Sequence, residues 1–108
     1  MDKIFMDKIF EKQKEFQELL GVDTNTQEYK NQMFLGLFEE TAELMKETPF
    51  KSHKKNQDFD EEKFLEECVD VQLYLINLVA STGCSAHEFL GRIKIKQKIN
   101  VERQQNGY

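Results

Sequence analysis

Two pairs of acidic residues lie within apolar, helix-forming sequence and are the best candidates for chemistry. Glu40 and Glu43 lie in LFEETAEL, and Glu67 and Asp70 lie in FLEECVDVQLYL. Within each pair the acids are three residues apart, so they share one face of a helix. Ionised carboxylates in apolar surroundings are costly unless a cation or hydrogen bonds compensate them. Four such acids converging from two helices predict a bound hard metal and chemistry on phosphates.

The oxygen-only ligand set favours Mg2+, which takes carboxylates and keeps several waters, with Mn2+ as the alternative ion. Paired iron in helical bundles requires Glu-x-x-His on facing helices. The residues three before His53 and His87 are Phe50 and Cys84, so the iron motif is absent from the sequence.

The alternative interpretation is that the acids form the solvated face of amphipathic helices. That interpretation fits the acids outside the two pairs best: Glu39, Glu47, Glu61, Glu62 and Glu66. It fits Asp70 least, because Val69, Val71 and Leu73 leave little polar sequence around it.

The C-terminal segment carries a second pattern. Lys96, Asn100 and Arg103 are spaced i, i+4 and i+7, which places them on one helix face. Lysine and arginine can neutralise phosphate oxygens, and arginine can do so with two parallel hydrogen bonds. A solvated basic face would give the same spacing, so both interpretations stay open.

The elements that must position these residues are four predicted helices. Glycines and a proline mark most of the helix ends. The helix starts are marked by capping residues: Thr24, Asn25 or Thr26 for the second helix, Asp60 for the third, and a Ser85-x-x-Glu88 capping box for the fourth. The alternating apolar sequence from Ile93 to Ile99 would also suit an edge strand, but no partner strand is visible. The predicted helices span Asp2 or Asp7 to Leu20, Gln27 to Thr48, Glu61 to Thr82 and Ala86 to Gln105. We therefore predict an all-α four-helix fold.

Size and composition favour one globular domain over residues 1–108. The chain has a formal charge of -5, with 39% hydrophobic and 32% charged residues, which argues against nonspecific nucleic-acid binding. Cys68 and Cys84 do not form a disulfide framework, and no apolar run reaches membrane-spanning length, so we expect a cytoplasmic protein. The repeat of MDKIF at residues 1–5 and 6–10 is best explained by a second start codon or a cloning scar.

Taken together, these motifs resemble the all-α nucleoside triphosphate pyrophosphatases, the superfamily of MazG-like proteins and dimeric dUTPases. Glu39-Glu40-x-x-Glu43 followed by Glu67-x-x-Asp70 looks like the metal motif of that superfamily. The segment ETPFK at residues 47–51 and the tail KQKINVERQQNGY at residues 96–108 resemble the dimeric dUTPase branch. The resemblance implies a MazG-like four-helix bundle completed by oligomerisation.

The resemblance also implies a role for individual residues. Glu40, Glu43, Glu67 and Asp70 would hold Mg2+, and Glu40 would act as general base on the attacking water. The other residues implied at the substrate are Gln13 at the base and, around the phosphates and sugar, Lys51, Lys96, Asn100, Arg103 and Tyr108. The reaction implied is cleavage of a nucleoside triphosphate, with dUTP or dCTP favoured, to the monophosphate and pyrophosphate.

Two other classes of function fit the same sequence: a noncatalytic helical interaction module, and a nucleotide-binding sensor without turnover. The third helix is apolar on nearly all sides after Asp70, so it must be covered by this chain or by a second copy. We therefore expect a homodimer or a homotetramer.

Overall fold

The computed structural model describes residues 3–48 and 59–107, which form four helices. Their bounds are Lys3–Leu20 for α1, Gln27–Lys46 for α2, Glu61–Ser81 for α3 and Ala86–Gln105 for α4. The described residues contain no strand, and the segment from Ile93 to Ile99 is helical. The predicted all-α fold is confirmed, and the edge-strand alternative for this segment is wrong.

The helix starts follow the capping residues in the sequence. The side chains of Thr26, Asp60 and Ser85 each accept a hydrogen bond from the backbone N–H three residues ahead. Each cap therefore satisfies one of the N–H groups that have no partner within the helix. Gly21 and Gly83 have φ values of 73° and 84°, which glycine adopts without a steric penalty, and they follow α1 and α3 closely.

The second helix ends two residues earlier than predicted. The N–H groups of Glu47 and Thr48 donate to the carbonyls of Leu44 and Met45, three residues back. This tighter turn takes Glu47 and Thr48 out of the regular helix. The proline at position 49 was a correct sign that the helix ends here, but the last turn changes geometry before reaching it.

Helices α2 and α3 pack side by side and run antiparallel. Asn77 of α3 forms a hydrogen bond with Met33 of α2, and Lys63 forms an ion pair with Glu47. In both pairs the two residue numbers add to 110, and this sum defines the register of the two helices. Gly36 and Tyr74 obey the same rule, and a Cβ atom on residue 36 would overlap the Tyr74 ring. The absence of a side chain at Gly36 is therefore what allows the aromatic ring to lie against the α2 backbone.

The described core is small and lies where α1, α3 and the start of α4 meet. Phe10, Ile76 and Ala86 are its buried apolar members. The rest of α4 lies against α1 and does not pack along α2 or α3. The expectation that α3 is covered all round is not met within one chain, because Val69 and Leu75 remain exposed. No helix in the described ranges is both long enough and apolar enough to cross a membrane.

Candidate metal and nucleotide site

The antiparallel register of α2 and α3 brings three of the predicted acids together. Glu40 comes from α2, and Glu67 and Asp70 come from α3. One carboxylate oxygen from each lies within 4.8 Å of the other two. Glu40 and Glu67 are half-buried, and Asp70 is exposed. Three carboxylate oxygens this close together could coordinate a hard cation.

Glu43 lies next to this group but is not part of it. It is exposed, and its carboxylate forms an ion pair with Lys46 at 3.4 Å. Its charge still acts on Glu67. The structure thus brings together three of the four predicted metal ligands and leaves the fourth one helical turn along α2.

Glu67 is the electrostatically strained member of the group. Burial, followed by a hydrogen bond with Glu40 and the negative charges of Glu40, Asp70 and Glu43, raises the pKa of its carboxyl. Its Oε2 atom is buried and has no hydrogen-bond donor among the described residues. Since buried polar atoms are nearly always satisfied, this oxygen is where a cation would be most favourable.

Two expectations about individual acids are corrected. Asp70 was expected in dry surroundings, but it is exposed because neighbouring Val69 is also uncovered in a single chain. Glu47 was expected on the solvated face, but its side chain is only 18% exposed and pairs with Lys63 at 3.5 Å. The register that aligns Glu40 with Asp70 also places Glu47 against Lys63 at the start of α3. Glu39, Glu61, Glu62 and Glu66 are exposed, as the alternative interpretation predicted.

A cavity of about 560 Å³ lies between α1, the start of α2 and the end of α3. Gln13 and Asn77 both line it, and the Gln13 Nε2 group donates to Asn77 Oδ1 at 2.9 Å. Asn77 is buried, and its Nδ2 group donates to the sulfur of Met33 at 3.5 Å. Asn77 is seven residues after Asp70, so cavity and acids lie on the same side of α3, about 10 Å apart. This volume suits a small organic group.

Two buried residues in the cavity wall were missed by the sequence reasoning. Gln17 and Tyr29 both line the cavity and are almost fully buried. Burial raises the pKa of the Tyr29 hydroxyl, which keeps it a neutral group able to donate a hydrogen bond. A buried glutamine and tyrosine have no signature in sequence spacing, because both residue types are common on helix surfaces.

The predicted phosphate-binding residues of the tail are not at the acids within one chain. Lys96, Asn100 and Arg103 are exposed on α4, which lies against α1. The described charged groups that act on Glu67 are all acidic. The other two predicted substrate residues, Lys51 and Tyr108, lie outside the described residues.

Comparison with known proteins identifies the family of the chain. The family model described as dUTPase matches residues 5–96, a range that contains Gln13, both acid pairs and Lys96 but ends before Asn100. Neither the curated proteins nor the solved structures gave a match. The match confirms the resemblance to the all-α pyrophosphatases of the dUTPase branch. Because it spans most of the chain, this protein belongs to the dUTPase family and is a nucleotide-hydrolysing enzyme.

Proposed function

We propose that the protein is a Mg2+-dependent nucleoside triphosphate pyrophosphohydrolase that favours dUTP or dCTP. Its products would be the nucleoside monophosphate and pyrophosphate. The observation that carries the proposal is the carboxylate group of Glu40, Glu67 and Asp70, which includes a buried oxygen without a donor, in a chain of the dUTPase family.

The side chains present fit Mg2+. Glu40, Glu67 and Asp70 offer only oxygen atoms, and Glu67 Oε2 lacks the partner that a cation would provide. Glu43 is close enough to join through a rotamer change or a bridging water, at the loss of its exposed ion pair with Lys46. Mn2+ prefers similar ligands and would serve as an alternative.

When bound, the ion would offset the charge of the triphosphate and polarise its oxygens. Glu40 would accept a proton from the attacking water. The water oxygen would then bond to the α-phosphorus while the bond from that phosphorus to the bridging oxygen breaks. The electron pair would leave with pyrophosphate, and the proton would remain on Glu40. The half-burial of Glu40 restricts the water around it and so favours this role.

The cavity would receive the base. Because Gln13 Nε2 donates to Asn77, its Oε1 atom is the group left to accept a hydrogen bond. Uracil offers an N–H and cytosine offers an amino group to such an acceptor, so this contact suits dUTP and dCTP alike. The tail residues Lys96, Asn100 and Arg103, with Lys51 and Tyr108, would bind the phosphates and sugar.

The proposal is tested by measuring pyrophosphate release from a panel of deoxynucleoside triphosphates with and without Mg2+. We expect release only with the metal, and fastest from dUTP or dCTP. Glu67→Gln should abolish release, while the matched variant Glu66→Gln should retain it, because Glu66 is exposed on the same helix. Release without a divalent ion, or from the Glu67 variant, would contradict the proposal. Mg2+-dependent binding without release would instead identify a nucleotide sensor.

A second candidate function rests on the exposed apolar residues of α2, which would suit a noncatalytic interaction module. Phe34 and Phe38 are more than half exposed. Asp70→Ala separates the two functions. It should abolish pyrophosphate release by an enzyme, but it should leave an interaction module folded and bound to its partner.

A further inference from the structure

A chain of two hydrogen bonds leads from α2 through α3 to the cavity. Gln13 Nε2 donates to Asn77 Oδ1 at 2.9 Å, and Asn77 Nδ2 donates to the sulfur of Met33 at 3.5 Å. Asn77 is only 8% exposed, so water does not compete freely for its amide. Met33 is half-buried on α2 and, among the described residues, lies outside the cavity wall. The sulfur of Met33 is therefore connected to the cavity through the two amides.

The sulfur of Met33 gives this chain a direction. A thioether has no hydrogen on sulfur and can only accept, whereas an amide has a donor side and an acceptor side. If the Asn77 amide turned over, its oxygen would face the sulfur with no hydrogen between them. Its nitrogen would then face the nitrogen of Gln13, so Gln13 would have to turn over as well and point Nε2 into the cavity. The two amides thus have two joint arrangements, and Met33 favours the one in which Gln13 presents its oxygen to the cavity.

The packing of α2 on α3 keeps the sulfur opposite Asn77. Met33 and Asn77 obey the register in which the numbers of facing residues add to 110, and so do Gly36 and Tyr74 one turn away. A slide of α2 along α3 would force a side chain against the Tyr74 ring in place of Gly36. This contact therefore helps to fix the sulfur at the end of the hydrogen-bond chain.

Gln17 differs from Gln13 in lacking such a chain. It lies four residues after Gln13 on the same face of α1, lines the same cavity and is 6% exposed. Its side-chain amide has no hydrogen-bond partner among the described residues. The Gln17 amide can therefore offer a ligand either its donor or its acceptor, whereas the Gln13 amide is held with its acceptor towards the ligand.

We propose that Met33 is a positioning residue for base recognition, which holds the acceptor of Gln13 towards the cavity through Asn77, so that the cavity favours bases with an N–H group. This inference rests on the proposed function, which assigns the cavity to the base. The sulfur should favour this arrangement about 2- to 5-fold, the lower half of the range for one hydrogen bond, because sulfur is a weak acceptor. Without the sulfur the two arrangements would be equally populated, and the Gln13 acceptor would face the cavity in about half of the molecules.

Met33→Leu tests the proposal with two substrates of opposite hydrogen-bond polarity. Leucine has nearly the volume of methionine but no acceptor. The base of dUTP offers an N–H group to Gln13, whereas the deoxynucleoside triphosphate of 2-pyrimidinone has a ring nitrogen and a carbonyl that accept, and its base has no N–H group. In Met33→Leu the KM for dUTP should rise by less than about 2-fold and the KM for the 2-pyrimidinone nucleotide should fall about 2- to 3-fold, while kcat stays unchanged. A rise in both KM values by the same factor, or no change in either, would overturn the proposal.

Two controls connect the effect to the polarity of Gln13. Met45→Leu is the same substitution on the same helix at a residue that is 46% exposed, and it should change neither KM. In a Gln13→Ala background, Met33→Leu should no longer alter the ratio of the two KM values, because the group through which Met33 acts is gone. An effect of the same size in that background would also overturn the proposal.

The direction of the chain can also be measured without a nucleotide. Hydrogen exchange of the Gln13 side-chain amide, followed by nuclear magnetic resonance, should be about 2- to 3-fold faster in Met33→Leu because Nε2 faces the cavity more often. The side-chain amide of Gln17 is the internal reference and should not change. Unchanged exchange at Gln13 would overturn the proposal whether or not nucleotides are cleaved. Faster exchange in a protein that cleaves no nucleotide would support the role of Met33 in holding Gln13 and refute the proposed function alone.

Discussion

The Asn77→Ala substitution tests whether the cavity holds the base through Gln13. Asn77 is buried on α3, and its Oδ1 atom accepts the hydrogen bond from Gln13 Nε2 at 2.9 Å. Removing the amide would leave Gln13 free to change rotamer, although the residue would still line the cavity. The carboxylates lie two helical turns away, so their arrangement should persist.

The expected change in KM follows from the loss of the hydrogen bond that holds the Gln13 side chain in place. Ordering one flexible side chain on binding costs about 0.5–1.5 kcal/mol, so the KM for dUTP should rise roughly 2- to 12-fold while kcat changes little. The lost hydrogen bond should also lower the free energy of unfolding by about 1–3 kcal/mol, towards the lower end because water in the cavity can reach Gln13. Steady-state pyrophosphate release gives KM and kcat, and thermal melting gives the stability change.

The control is Gln72→Ala, an exposed amide on the same helix, which should alter neither KM nor stability appreciably. The reasoning would fail if Asn77→Ala left the KM for dUTP unchanged while Gln13→Ala raised it. That result would show that Gln13 contacts the base without needing an anchor. A loss of Mg2+ binding in the Asn77 variant would show that the cavity and the carboxylates are not independent.

Three further predictions concern the carboxylates and the close contact beneath them. Glu67→Gln should abolish Mg2+ binding measured by calorimetry, yet raise the melting temperature of the metal-free protein at neutral pH, because it removes a charge that burial and three acids disfavour. The pKa of Glu67 is raised in the folded state, so protonation favours folding and this stabilisation disappears as the pH rises through that pKa. The difference in melting temperature between Glu67→Gln and the wild type should therefore shrink as the pH is lowered, and the Mg2+ affinity of the wild type should weaken over the same pH range. A difference that does not depend on pH would show that the charge of Glu67 is not its cause. Gly36→Ala gains about 1 kcal/mol in helix propensity, but the new methyl group overlaps the Tyr74 ring at a cost of about 1–3 kcal/mol. The melting temperature and the Mg2+ affinity of this variant should therefore both fall. The control variant Gly91→Ala should raise the melting temperature, because residue 91 has open space around it.

The helices and the pairing of the acids could be predicted because local sequence determines them. Ser85 and Asp60 cap helices through contacts three residues away, and Glu67 and Asp70 share a face through helical geometry alone. That the two pairs meet was an assumption of the metal prediction, and the family resemblance supported it. The position of α4 could not be predicted in this way, because the spacing of Lys96 and Asn100 defines a face of a helix without saying what that face meets.

Of the residues that line the cavity, only Gln13 was predicted from the sequence to contact the substrate. The burial of Gln17 and Tyr29 depends on how α1 crosses the other helices, and no periodic pattern reports such a crossing. The exposure of Asp70 was misjudged for a related reason. Apolar neighbours in sequence predict a dry site only when another element covers them, and one copy of the chain leaves Val69 uncovered.

The register of α2 against α3 determines both the position of the carboxylates and the contacts of Asn77 in the cavity wall. A shift of α2 by one residue against α3 would rotate the facing residues by about 100° and separate Glu40 from Glu67. It would also remove Met33 from Asn77 and force the Tyr74 ring against a side chain instead of Gly36. Because only the residue without a side chain can lie under the ring, Gly36 selects the register that also assembles the acids. The contact between Gly36 and the Tyr74 ring, one turn away, thus helps to hold three mutually repelling carboxylates close together.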